Sequence, residues 1–310
     1  MTFSDRTKIE IIENCEVLDK DAFLWGITRG GVSLTLEKGK LGCVITSHVS
    51  EVAMHAFSML ATMGAELTPE QKKGLNKQRV YNVILRGESA KKLLKDSGIM
   101  IFPKGENTYI GESVPVDKLD TVEKQRGYVA GVFLTAGEVF LPKGLEGGGS
   151  AYQLEFLFTS GGYAKSFSDF ISQLGFKGRI IERRETAVLY IKDSEIISDF
   201  LAFTGAVDAV LEMQTVKVYR SVREQENRIS NCEVANLDKV VNTAQRQIAF
   251  INALKESGKF NMLDEKLKVV AEARVAYFED SLDSIANKLG LSKSCINHRL
   301  RKIESIAKGE

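Results

Sequence analysis

The pattern of apolar and polar positions along this 310-residue chain falls into two regimes. From residue 20 to about 205, apolar runs at helical spacing alternate with runs in which every second residue is apolar. Beyond about Val222 only the helical period remains. The first regime reads as two copies of one plan: helix, two strands, helix, two strands, helix. In residues 20–100, DAFLWGITRGG is followed by the alternating SLTLEK and LGCVITS, the helical VSEVAMHAFSMLATMG, the strands AELTPE and RVYNVILRG, and the helical ESAKKLLKDSG. In residues 120–205, KQRGYVAGVFLTAG leads to a short strand at Glu138 to Leu141, then YQLEFLFTS, the helical YAKSFSDFISQLG, the strands GRIIERRE and AVLYIKD, and the helical SEIISDFLAFTG. Repeats of roughly 90 residues are too long for a solenoid unit. The two copies therefore predict one α+β domain over residues 1–220, packed about a pseudo-twofold axis.

Residues 221–232 begin polar and read as a linker; residues 233–310 read as an all-helical domain. Leu237, Val240, Val241, Ala244, Ile248 and Ile251 recur at helical spacing, and a further helix covers Met262 to Tyr277. The segment from Ser281 to Ala307 has the pattern of two short helices joined by a tight turn. In the first, Leu282, Ile285, Ala286 and Leu289 make one apolar face, Ser281 is placed to accept from the free N–H groups of the first turn, and Gly290 ends the helix in a position that favours positive φ. The second starts at Ser292 and buries Ile296, Leu300 and Ile303. Ser294, Asn297, His298 and Arg301 then form one exposed stripe able to reach base edges in a major groove, flanked by Lys293, Arg299 and Lys302 as phosphate contacts. No Asp or Glu occurs from Ser292 to Ile303, as suits a surface that approaches a polyanion. The pattern is a DNA-binding helix-turn-helix; a plain helical hairpin with a solvated basic face is the alternative.

Composition changes this picture only locally. With 44% hydrophobic and 27% charged residues the chain is of globular type, and 42 Lys and Arg against 41 Asp and Glu leave it nearly neutral. Affinity for nucleic acid must then come from patches, and Ser281 to Glu310 carries six basic residues against three acidic ones. Cys15, Cys43, Cys232 and Cys295 are widely spaced and form no C-x-x-C pair, so neither a zinc site nor a disulfide framework is indicated and no cofactor is expected. His48 and His55 lie seven apart with no third ligand nearby. GLEGGGSA, residues 144–151, lacks the ending of a phosphate-binding loop and reads as a flexible connection. No apolar run is long enough to span a membrane and the first residues lack a signal-peptide core, so the expected location is cytoplasmic and nucleoid-associated.

NRISNCEVANLDKVV, SKSCINHRLRKI and GYVAGVFLTAG followed by YQLE resemble the WhiA family of bacterial DNA-binding proteins, described as sporulation or cell-division transcription regulators. The resemblance covers nearly the whole chain; Gln153 and Cys295 depart from the usual pattern without removing a charge. It implies a duplicated domain like that of LAGLIDADG homing endonucleases, followed by a helix-turn-helix similar to sigma factor region 4. In active endonucleases of that fold, each of the two related helices ends in an Asp or Glu, and the pair holds the divalent ions that activate water. Matching the motif places Gly131 and Gly137 on its glycines and Ala136 on its acidic position in the second copy. In the first copy it places Gly26 at the tight helix contact and Gly31 at the acidic position. Neither Gly31 nor Ala136 can ligate a metal, and the nearby Glu138 has no counterpart in the other copy.

The expectation is a sequence-specific DNA-binding regulator without nuclease activity, with double-stranded DNA as partner and another regulatory protein or RNA polymerase as a further candidate. The competing readings are an active metal-dependent endonuclease and a nucleoid or cell-division adaptor that uses DNA as a tether. Gly26, Ala130 and Gly131 permit two helices to cross closely. Arg179, Arg183, Arg184 and Lys192 alternate along or end the second copy's strands, where they either face a duplex or form an ordinary solvated sheet face. Asn227, Arg228, Asn231 and Asn236 can bond phosphates or bases, or brace the linker.

Overall fold

The computed structural model describes residues 1–37, 39–71, 79–103, 107–142 and 151–309; most of the Gly-rich segment from 144 to 151 lies outside them. The chain forms two compact units, Met1–Arg220 and Ser221–Glu310.

The first unit contains the two copies. Copy one runs α2 (Lys20–Gly31), β1 (Val32–Glu37), β2 (Lys40–Ser47), α3 (Ser50–Leu60), β3 (Glu66–Gln71), β4 (Arg79–Arg86) and α4 (Gly87–Asp96). Copy two runs α5 (Val122–Ala136), β7 (Gly137–Phe140), β8 (Gln153–Phe158), α6 (Gly161–Gln173), β9 (Arg179–Arg183), β10 (Thr186–Ile191) and α7 (Ser194–Thr204). Each copy makes an antiparallel four-stranded sheet of the same order, β1-β2-β4-β3 and β7-β8-β10-β9. Two short strands, β5 (Met100–Ile101) and β6 (Tyr109–Ile110), pair with each other. One face of each sheet is apolar: Cys43, Ile45, Val83 and Leu85 in the first, Leu154, Phe156, Phe158, Leu189 and Ile191 in the second, all in one continuous core. The other face is turned outward, as the period of two requires.

The repeats meet at α2 and α5. A Cβ at Gly131 would stand 2.7 Å from the Ile27 nitrogen and closer still to the Phe23 carbonyl oxygen; one at Gly26 would press on the Tyr128 carbonyl. Glycine is required there because backbone faces backbone. Thr135 completes the crossing by donating its hydroxyl to the Ile27 carbonyl at 3.0 Å.

A helix not expected from the sequence, α1 (Phe3–Glu13), starts in a reciprocal cap between Thr2 and Asp5 and buries Ser4, Thr7, Lys8 and Ile11. Its buried side contains two hydroxyls and an ammonium, which dilutes the apolar period that would have announced it.

Residues 221–232, expected as a linker, are helical. They lie inside α8 (Val207–Glu256), which contains no Gly or Pro to end it. In the second unit, the last turns of α8 pack with α9 (Glu265–Ala276), α10 (Leu282–Leu289) and α11 (Lys293–Lys308) around Ile251, Leu254, Leu267, Val270, Ile285, Ile296, Leu300 and Ile303. Arg274, 1% exposed, donates to the carbonyls of Phe278 (2.9 Å) and Asp280 (2.7 Å) and so fixes the turn between α9 and α10. Burial lowers its pKa, opposed by Asp280.

Candidate nucleic-acid interface

α10 and α11 form their corner as the spacing predicts. Ser281 accepts from the Ser284 nitrogen at 3.2 Å, Ser292 accepts from the Cys295 nitrogen at 3.2 Å, and Gly290 takes φ +63 while the Leu291 nitrogen donates back to the Ala286 carbonyl at 2.9 Å. This ending satisfies the last carbonyls of α10 and turns the chain sharply into α11. Ile296, Leu300 and Ile303 are buried against Ile285 and Ala286. The apolar side of α11 is thereby fixed, which leaves Ser294, His298 and Arg301 exposed and Asn297 half-buried on the opposite side.

The flanking cations are less uniform. Lys302 is exposed. Lys293 is also exposed but pairs with Asp283 of α10 at 2.5 Å. Arg299 is half-buried, and its Nη1 donates to the Lys266 carbonyl at 3.4 Å, which draws it toward α9. Asp280 accepts from Lys288 at 2.7 Å and from Ser284 at 2.9 Å. These bonds outweigh burial and hold its carboxyl below the usual range. Both carboxylates nearest the start of α11 are thus neutralised within the unit.

On α8, Asn227, Arg228, Asn231 and Asn236 are all exposed. They do not share a face: Arg228 and Asn231 lie on one side, whereas Asn236 is turned away and its amide donates to the Cys232 sulfur at 3.7 Å. Arg179 and Arg183 point to the outer face of the second sheet, in register with Tyr190 and Thr186. Arg184 sits in the turn after β9, and the Lys192 ammonium lies 5.4 Å from the Tyr190 ring centre. That face also carries exposed Leu157 and Ile181, aligned on either side of Val188.

At the positions matched to the endonuclease carboxylates, Gly31 lies against Thr135 and Ala136 is buried. The neighbouring Glu138 is engaged within the unit. It pairs with the Lys8 ammonium at 2.7 Å and stands 3.5 Å from His48, which in turn meets Asp5 at 3.1 Å. Burial lowers the Lys8 pKa while Glu138 raises it; burial acts to raise that of Asp5, but Thr2 and His48 outweigh it and leave it lowered. Nothing in the residue pattern signals this network, since Lys8 stands in an ordinary mixed run, FSDRTKIEII. His55 lies edge-on against the Phe23 ring, with its Nε2 3.8 Å from the Cys15 sulfur. Among the described residues no cluster of three His, Cys, Asp or Glu side chains has the arrangement to hold a metal ion, and no helix is long and apolar enough to cross a membrane.

The duplicated α+β unit crossed at paired glycine-bearing helices, together with a capped helix-turn-helix, defines a class of DNA-binding protein built on a LAGLIDADG-like scaffold. Comparison with known proteins agrees segment by segment. Residues 19–100 match the WhiA N-terminal LAGLIDADG-like domain, 125–223 the WhiA LAGLIDADG-like domain, and 227–307 the WhiA C-terminal HTH domain. The chain belongs to the WhiA family. It is 31% identical over 315 residues to the probable cell division protein WhiA of Clostridium perfringens strain 13, covering 99% of this chain and 98% of the relative. To the protein of the same description in Clostridium novyi it is 32% identical over 316 residues, with the same coverage. The crystal structure of full-length DUF199/WhiA from Thermatoga maritima aligns with a TM-score of 0.55 at 25% identity, covering 99% of this chain and 98% of that one.

Proposed function

We propose that the protein is a sequence-specific DNA-binding regulator of cell division or sporulation genes and that it does not cleave DNA. The observation that carries this reading is α11: its buried face is fixed by Ile296, Leu300 and Ile303, and its opposite face offers Ser294, Asn297, His298 and Arg301 with no carboxylate from Ser292 to Ile303. Asn and Arg are the side chains that pair bidentately with adenine and guanine edges in the major groove. The name shared by the clostridial relatives supports the cell-division assignment.

Against cleavage stand Gly31 and Ala136 at the acidic positions and the capture of Glu138 by Lys8. A two-ion mechanism needs carboxylates from both copies, and here they are missing from both. The adaptor reading shares the same surfaces and differs only in whether occupancy changes transcription.

Mapping the tagged chain on chromosomal DNA, alongside Asn297→Ala/Arg301→Ala, tests the reading. Discrete wild-type peaks that collapse to background in the variant, with altered transcripts next to the peaks, are expected. Peaks that persist in the variant would remove α11 from the base-reading role, and peaks without nearby transcript changes would favour the adaptor. Supercoiled plasmid incubated with the protein and magnesium or manganese is expected to stay intact; nicking would overturn the loss of cleavage.

A further inference from the structure

Part of α8 has no role in the reading above, yet its side chains are ordered by charge. At 3.6 residues per turn, Arg228, Asn231, Ala235, Lys239, Asn242 and Arg246 lie in one row. All six are exposed, on the side of the helix turned from the buried Ala244, Gln247 and Ile251. Glu226 and Glu233 fall on the other side of the helix, Asp238 borders the row beside Lys239, and from Arg228 to Arg246 the row itself holds no acid; Glu224 stands one turn before it. Among the described residues Arg228 and Lys239 pair with no carboxylate, whereas Arg246 stands 3.9 Å from Glu304.

Lys239 connects this row to the recognition helix. It stands at the edge of the row nearest the buried face, on the rim of a cleft of about 250 Å³ that Ala244 and Gln247 of α8 also line, together with Ser281 and Asp283 at the start of α10 and Lys293 at the start of α11. Asp283 is occupied by Lys293 and Asp280 by Lys288, so the cleft's carboxylates are already paired and Lys239 is left for an outside anion. The N–H groups of the first turn of α10 favour the same sign of charge.

We propose that the Arg228–Lys239 row lies along the phosphate backbone flanking the site that α11 reads, with Arg228 and Lys239 on phosphates, the Asn231 amide on a phosphate or sugar oxygen, and Ala235 allowing close approach. This rests on α11 occupying the major groove. Eleven residues of helix span roughly 16 Å, which corresponds to about five base pairs of duplex. The protected region therefore extends past the recognition site by that length on one flank.

The test uses the full chain and a duplex it recovers from a random pool, with hydroxyl-radical footprinting and a salt titration of affinity. Arg228→Ala/Lys239→Ala is expected to reduce the log–log salt slope by about 2, since each phosphate contact contributes roughly 0.9. It should also shorten one flank of the footprint by about five base pairs while the preferred bases stay the same. Arg228→Lys/Lys239→Arg, which keeps both charges, is expected to retain slope and footprint. A wild-type footprint and slope in the alanine variant, with base preference intact, overturns this inference and leaves the role of α11 standing. A wild-type chain that recovers no preferred duplex overturns the role of α11 and this inference with it.

Discussion

At Gly131 a single hydrogen in place of a side chain decides how near two helices come. Alanine there gains about 1 kcal/mol of helix propensity, but its methyl would meet the Phe23 carbonyl and Ile27 nitrogen, which are backbone and cannot swing aside. Overpacking of this kind costs about 3 kcal/mol, so Gly131→Ala is expected to destabilise the first unit by about 2 kcal/mol, measured as a lower urea midpoint for the full chain. The Lys8–Glu138 pair makes an opposite case. The ammonium is 1% exposed and the carboxylate 34% exposed; Glu138→Gln leaves the buried charge without its counter-ion and is expected to cost about 3 kcal/mol, whereas Lys8→Met removes the charge itself and costs less. Equal thermal shifts for the two variants would contradict that ordering. The cysteines separate by burial. The Cys43 thiol is pushed up to about 11 by desolvation, so it holds its proton at neutral pH, and Cys232 is exposed on α8. Alkylation at pH 7.5 followed by mass spectrometry is expected to label Cys232 and to reach Cys43 only in denaturant.

At the scale of elements, the order of helices and strands in both copies could be read directly from the sequence because apolar runs of strand and helix length are separated by glycine and polar residues. β2 and β10 are short apolar runs bounded by polar residues, and α10 is bounded by Ser281 and Gly290, residues that act as caps through local chemistry alone. The elements that escaped notice failed for identifiable reasons. α1 turns Thr7 and Lys8 inward, and Lys8 is tolerated only through Glu138, a partner 130 residues away. Residues 221–232 lack a buried face, so a helix with Val222 and Ile229 exposed looked like a connector. The interface was legible to the same degree. The outward stripe of α11 follows from its apolar side, whereas the engagement of Lys293 by Asp283 and of Arg299 by the Lys266 carbonyl depends on how the helices pack. Lys239 went unnoticed because only the corner formed by α10 and α11 shows what it stands beside. The corner also sets a stability expectation: Leu300→Ala should cost about 2–5 kcal/mol and loosen the second unit, seen as faster amide exchange in α10 and α11.

For the whole molecule, near-zero net charge means that recognition depends on where a few cations stand rather than on how many there are. In the proposed reading the first unit is a scaffold without cleavage chemistry: Gly31 and Ala136 stand at the positions matched to the endonuclease acids, and the nearby Glu138 is paired with Lys8. The second has a helix pair whose polar side is open. In this account DNA is read by the second unit, and the first serves as a scaffold whose outer sheet faces are available for other contacts. Selection of bound duplexes from a random pool, by the wild-type chain and by Asn297→Ala/Arg301→Ala, tests that division most directly. The wild-type chain is expected to enrich one short motif that the variant no longer enriches. The same motif recovered by both proteins, or none by either, would contradict it.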